Sequence, residues 1–228
     1  MSVTEFKTSF EKQSLPKYSD GEEVFNWVSH AVGVLIGLIT LGYFIAMAVV
    51  MNFTAIQTLS LIFYSLSIVL LYATSTIYHA LNKTSTWKKI FRLLDHNTIY
   101  LLIAGSYAPI CAFAFGGTYY GIIIFSIQLV GLLTGTIMNF LNLNGKVTQI
   151  ITVVLYVVMG WLLVIFYPAI SHVPFLTTLF VLLGGVSYTS GVIFYAIGRK
   201  IKWMHSVFHL FVLIGTIVQL VGIILLIN

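Results

Sequence analysis

Charge is scarce in this sequence. Only 7% of its 228 residues are Asp, Glu, Lys or Arg, while 59% are hydrophobic; a soluble domain carries about 25% charged residues. That deficit excludes a soluble fold, because a folded chain of this size still exposes much of its surface. Cysteine is nearly missing too. Cys111 stands alone, which excludes an intramolecular disulfide and any cysteine-rich metal site. Beyond Glu23 the sole acidic residue is Asp95. No apolar stretch follows Met1. Residues 1–23 mix Lys7, Lys12 and Lys17 with Glu5, Glu11, Asp20, Glu22 and Glu23, so no cleavable signal peptide is expected. Internal repeats and low-complexity segments are also absent.

What remains is a series of long apolar runs, at about 24–50, 53–80, 91–115, 118–139, 147–168, 173–198 and 203–227. Each reaches the roughly 20 residues that a membrane-crossing helix needs. They are too long and too continuous for barrel strands. The expected fold class is therefore an all-α membrane protein, a seven-transmembrane helix bundle. Residues 1–23 form a short tail and 24–228 one transmembrane domain. Pro109 falls inside the third run, Pro168 ends the fifth and Pro174 opens the sixth, where a helix start tolerates it.

The basic residues fix an orientation. The tail, the 2–3 connection (Lys83, Lys88, Lys89, Arg92), the 4–5 loop (Lys146) and the 6–7 loop (Arg199, Lys200, Lys202) hold all 11 Lys and Arg. With seven spans these segments share one side, and the positive-inside rule makes it the cytoplasm. The N-terminus is then cytoplasmic and Asn228 outside, in a multi-pass membrane protein. The net charge of +5 follows from this placement, so no nucleic-acid partner is expected. Gly33/Gly37, Gly117/Gly121 and Gly131/Gly135 have GxxxG spacing, which reads as close packing within the bundle.

Polar groups inside spans are costly and mark candidate sites. Ser75 and His79 lie four apart at the cytoplasmic end of helix 2, so they share a face. His205 and His209 repeat the spacing at the start of helix 7. Asp95 opens helix 3. Asn26 and His30 open helix 1, four apart, and read as a structural hydrogen-bonded pair. Four distant stretches thus place polar groups at one depth. His79, His205 and His209 form a sensible zinc set, with three imidazoles and a fourth position left for water. Asp95 would then take a proton from that water, and Ser75 would donate to it or to a substrate oxygen. An inert polar network stitching helices 1, 2, 3 and 7 is the alternative. His96 and His172 each read as solvated or hydrogen-bonded, and His172 falls on the opposite side.

Glu23-Val-Phe-Asn26 with His30, Ser75-Thr-Ile-Tyr-His79, Leu94-Asp95-His96 and His205-Ser-Val-Phe-His209 resemble the motifs of the hemolysin III proteins. These are the bacterial branch of the progestin and adiponectin receptor (PAQR) superfamily. The resemblance runs from about Glu22 to the C-terminus, with every motif in order. It implies zinc held by His79, His205 and His209, with Asp95 and Ser75 beside the fourth position. The superfamily includes alkaline ceramidases, which implies zinc-dependent hydrolysis of lipid amides on a membrane lipid or fatty-acyl ligand within the bundle. Bacterial members are linked to membrane lipid homeostasis and some to hemolytic activity. The short tail and the chain end at helix 7 depart from the receptor branch and argue against a peptide-hormone receptor. Two functions are therefore expected to compete: a ceramidase-like lipid amidase, and a non-catalytic sensor of membrane state with structural zinc. A channel is weaker, since no discontinuous helix pair or charged midplane residue is evident. The sequence specifies neither the substrate nor the oligomeric state.

Overall fold

The chain folds into nine helices among the residues described, 15–198 and 200–228 of a computed structural model. No strand occurs among them. In chain order they are α1 (Asp20–Val50), α2 (Ala55–Ala80), α3 (Thr86–Phe113), α4 (Tyr119–Asn142), α5 (Lys146–Gly160), α6 (Leu162–Ile165), α7 (Tyr167–Ile170), α8 (Phe175–Ile197) and α9 (Met204–Ile227). Lys7, Lys12 and Arg199 of the charge argument lie outside the described residues.

Two starts are written into the local sequence. Ser19 and Glu22 close a capping box on α1, and Thr54 and Gln57 do the same on α2. Asp20, Glu22 and Glu23 add negative charge to the first turn of α1, where the helix dipole favours it. The helix therefore begins at Asp20, a turn before the apolar run.

Five helices, α1, α2, α4, α8 and α9, are long and apolar enough to cross a membrane. Large aliphatic side chains cover their outer surface: Ile39 is 73% exposed and Ile122 74%. In water such a surface would aggregate; in lipid it is solvated. Together these make the chain a multi-pass membrane protein. The other two expected runs differ. α3 spans 28 residues, but its first turns carry Lys88, Lys89, Arg92 and Asp95. The fifth run is broken at Trp161 and Phe166 into α5, α6 and α7, so it stops as one helix at Gly160, and Pro168 lies within α7. The groups freed by the break are satisfied from neighbouring helices. The Tyr107 hydroxyl donates to the Gly160 carbonyl at 2.9 Å and accepts from Leu163 N–H at 3.0 Å. Gln128, fully buried, donates to the Met159 carbonyl at 2.9 Å. Buried backbone groups must be paired inside the protein when water is excluded.

Packing follows the chain from α1 to α5, each helix against the next. α9 then packs against α8, α1 and α3, which brings the last helix back to the first. α5 and α8 touch only sparsely. Glycines permit the closest approaches. A Cβ on Gly33 would strike the Tyr72 ring, one on Gly37 the Val69 and Ile68 side chains, one on Gly131 Met159 and one on Gly135 the Tyr100 ring. Two of the three GxxxG pairs are thus packing seams of this bundle. The third is not a helical pair, since Gly117 sits in a turn at φ +81°.

Contacts gather four segments at one end of the bundle. Lys83 pairs with Asp20 at 2.7 Å, Trp203 N–H donates to Glu22 Oε1 at 2.6 Å, and Arg92 Nη1 donates to Asn144 Oδ1 at 2.8 Å. Every described Lys and Arg belongs to these segments or to the adjoining helix turns.

Candidate metal centre and its cavity

His79 comes from the last turn of α2, and His205 and His209 from the first turns of α9. All three are buried. One nitrogen from each lies within 4.8 Å of the others, so the three could hold a metal ion. His205 Nε2 and His209 Nε2 are 3.1 Å apart, as expected of a helical i, i+4 pair turned to one point.

The partners of His79 fix its tautomer. Its Nδ1 lies 2.6 Å from Glu23 Oε2. A carboxylate only accepts, so Nδ1 carries the proton and Nε2 presents a lone pair. That Nε2 is buried with no protein partner. Glu23 is in turn held by Lys88, whose ammonium lies 3.0 Å from Oε1. Lys88 is 1% exposed and donates to the carbonyls of Tyr78 and Leu81 at 2.9 Å each. It thereby caps the C-terminal end of α2, where unpaired carbonyls and the helix dipole favour a cation. Lys88, Glu23 and His79 form a buried chain that aims one imidazole.

Glu23 and Lys88 are the residues the sequence reading missed as site members. In the sequence Glu23 stands in the tail and at the head of the Glu23-Val-Phe-Asn26 motif, with no role attached, and Lys88 counts only toward topology. A usable signal existed in α1, because Glu23, Asn26 and His30 share one helical face.

The other expected residues fall as follows. Ser75 and Asp95 line the same cavity as His205 and His209, and the Ser75 hydroxyl is buried with no hydrogen-bond partner. Asn26 does not bond His30. Its amide nitrogen lies against His79 Nδ1 at 3.4 Å, a contact without a hydrogen bond because the Nδ1 proton goes to Glu23, while the His30 ring stacks on His209 with centroids 3.8 Å apart. Both His30 ring nitrogens are buried without partners. His96, partly buried, lines the cavity wall, and its carbonyl accepts from Tyr156 at 2.6 Å. His172 packs on Tyr120 and Phe115 at the other end of the bundle, apart from the cluster. Tyr18 closes the cluster from the N-terminal segment, its ring stacked on His205 at 4.7 Å.

The cavity measures about 130 Å³. From the histidines it runs along Ile99, Leu102 and Ile103 of α3, Val153 and Val157 of α5, and Val192 of α8, and reaches Gln219 on α9. From His209 to Gln219 is ten residues of helix, about 15 Å. Below the histidines, Tyr72 and Tyr188 both bond the Thr216 hydroxyl, at 2.7 and 2.8 Å, which locks α2, α8 and α9 together.

These observations define a class: a multi-pass helical membrane protein with a buried three-histidine cluster on the wall of an elongated, mostly apolar cavity. Comparison with known proteins makes this particular. The family model described as "Haemolysin-III related" matches residues 18–220, and the chain belongs to that hemolysin III family. It is similar to "Hemolysin-3 homolog" of Bacillus subtilis (strain 168), 34% identical over 203 residues covering 86% of this chain and 89% of the relative. It is also similar to "Hemolysin-3" of Bacillus cereus, 30% identical over 196 residues covering 86% and 87%.

Proposed function

We propose that this protein is a zinc-dependent hydrolase of acyl lipids, amides preferred, working at the cytoplasmic face of a seven-span bundle in the bacterial plasma membrane. α3 and the α5–α7 series complete the seven crossings in this reading. The gathering of the basic segments at one end supports a cytoplasmic N-terminus. The observation that carries the proposal is the opening of a buried three-histidine cluster onto a long apolar cavity also lined by Asp95 and Ser75.

Zinc suits the donors. Tetrahedral zinc with bonds of about 2.0–2.1 Å sets imidazole nitrogens roughly 3.3 Å apart, close to the 3.1 Å between His205 and His209. His79, its proton committed to Glu23, offers its lone pair as the third ligand. When bound, zinc supplies a Lewis acid that polarises a carbonyl and lowers the pKa of water to about 7. The protein's own residues do the rest. An acyl chain enters through the sparse α5–α8 contact and lies along the α3 wall, with its carbonyl at the histidine end. Asp95 takes a proton from the attacking water as the carbon–oxygen bond forms. It returns that proton to the amine nitrogen as the carbon–nitrogen bond breaks. The Ser75 hydroxyl donates to the carbonyl oxygen as charge builds there. The hemolysin III resemblance to PAQR proteins and ceramidases supports the same assignment.

The test is single-turnover release of fatty acid by zinc-loaded wild type and Asp95→Asn across a panel of amide and ester lipids. Loss of a general base costs about 10²–10⁴-fold in rate, and the variant should keep its zinc because Asp95 is no ligand. Equal release by both forms would remove Asp95 from the mechanism. Absence of release from every lipid would replace the enzyme with a sensor built on structural zinc.

A further inference from the structure

We infer that the cavity has an anion subsite at Arg92, and that the amide substrate carries a carboxylate on its amine side, as an N-acyl amino acid does. The inference rests on the hydrolase reading only for the direction in which the amide lies. α3 presents one face to the cavity, through Arg92, Asp95, Ile99, Leu102 and Ser106 among others. The chemistry along that face is ordered: a cation first, then a carboxylate beside the histidines, then an apolar wall. Arg92 and Asp95 are three residues apart, about 4.5 Å along the helix axis. A carbonyl at the histidine end with its acyl chain along Ile99 and Leu102 therefore points its amine portion at Arg92.

That end of the cavity is built for a polar group. Arg92 is only 6% exposed, and its guanidinium is held by Asn144 Oδ1 at 2.8 Å from the α4–α5 connection. Gln149, on the first turn of α5, also lines the space, with its amide at 3.5 and 3.4 Å from the Leu143 and Asn144 carbonyls. A guanidinium presents its donors in a planar fork that fits a carboxylate or phosphate edge-on. Within a low-dielectric cavity such a group favours an anionic partner over a neutral hydroxyl. In an N-acyl amino acid the carboxylate is one carbon from the amide nitrogen, within the reach that the helix spacing sets. An N-acyl ethanolamine places a neutral hydroxyl there.

The test measures binding, so it does not depend on turnover. Zinc-loaded full-length protein in nanodiscs is titrated with ketone isosteres of N-palmitoylglycine, N-palmitoylethanolamine and its phosphate monoester, in which CH₂ replaces the amide N–H. The carboxylate form should bind about 10- to 100-fold more tightly than the alcohol, the range for a hydrogen bond to a charged group. Arg92→Gln should bring that ratio close to one, and Arg92→Lys should keep part of it. Asn144→Ala, which removes the acceptor at 2.8 Å from Arg92 Nη1, should lower the ratio and serves if Arg92→Gln does not fold. Equal binding of carboxylate and alcohol by wild type overturns the subsite. So does a ratio that survives Arg92→Gln. Phosphate binding more than tenfold tighter than carboxylate overturns the amino-acid assignment.

Discussion

Replacing Glu23 by Gln tests whether the carboxylate that aims His79 sets the affinity of the metal centre. The side chain keeps its shape and can still accept from His79 Nδ1, but it loses the charge that makes the 2.6 Å contact strong. Partners of this kind are worth about 10–100-fold in metal affinity, or roughly 1.4–2.7 kcal/mol. A second cost comes from Lys88, 1% exposed, which loses its counterion at 3.0 Å. Breaking a buried pair costs about 3–5 kcal/mol, moderated here because Lys88 keeps its bonds to the Tyr78 and Leu81 carbonyls. The two costs separate experimentally. The Lys88 term lowers thermal stability with and without metal. The His79 term lowers only the increment that metal adds. At free zinc 100-fold above the wild-type Kd that increment is about 2.7 kcal/mol. A 100-fold weaker site at the same zinc retains about 0.4 kcal/mol by the same relation. Chelator competition on purified protein gives Kd directly, and thermal unfolding with and without zinc gives the increment. A Glu23→Gln protein with a zinc Kd within threefold of wild type would refute the positioning argument.

Three further outcomes are expected. His205→Ala or His209→Ala should each remove most of the bound zinc and its stabilisation, measured by elemental analysis and thermal unfolding, whereas His172→Ala should change neither. A reporter fused after Asn228 should read outside the cell and one in the 81–85 connection inside; a cytoplasmic Asn228 would overturn the seven-span reading. Tyr107→Phe should destabilise the protein by about 1–3 kcal/mol for each backbone group it orphans at Gly160 and Leu163, with zinc content unchanged.

The helical bundle and the histidine cluster were legible because each depends on periodicity. A run of apolar residues and an i, i+4 pair mean the same thing wherever the chain later packs. The residues that were illegible act across helices. Lys88 has the same one-letter appearance as Lys89, and only the fold decides that it turns inward to cap α2 while its neighbour does not share that role. Glu23 reads as tail until α1 is seen to start at Asp20. The break at Gly160 left no apolar gap, since Leu162, Leu163 and Val164 continue the run. What permits the break is a tyrosine on α3 and a glutamine on α4, which no local window contains. Asn26 and His30 show the converse error: correct spacing for a bond, with each side chain drawn instead to a different helix.

The closure of α9 onto α1 has a consequence for synthesis. His79, Glu23 and Lys88 are made early and can settle as soon as α1 to α3 have inserted. His209 follows His79 by 130 residues, about 6.5–26 s at 5–20 residues per second. Until then the nascent chain holds one imidazole of the three that could hold a metal ion. The joint is finished by Trp203, whose left-handed backbone at φ 68° is unusual for a bulky residue and is steadied by the Glu22 carboxylate of the first helix. A ribosome that stalls before residue 205 therefore releases a chain that lacks both α9 ligands. In the zinc reading, metal uptake therefore waits until α9 has been made.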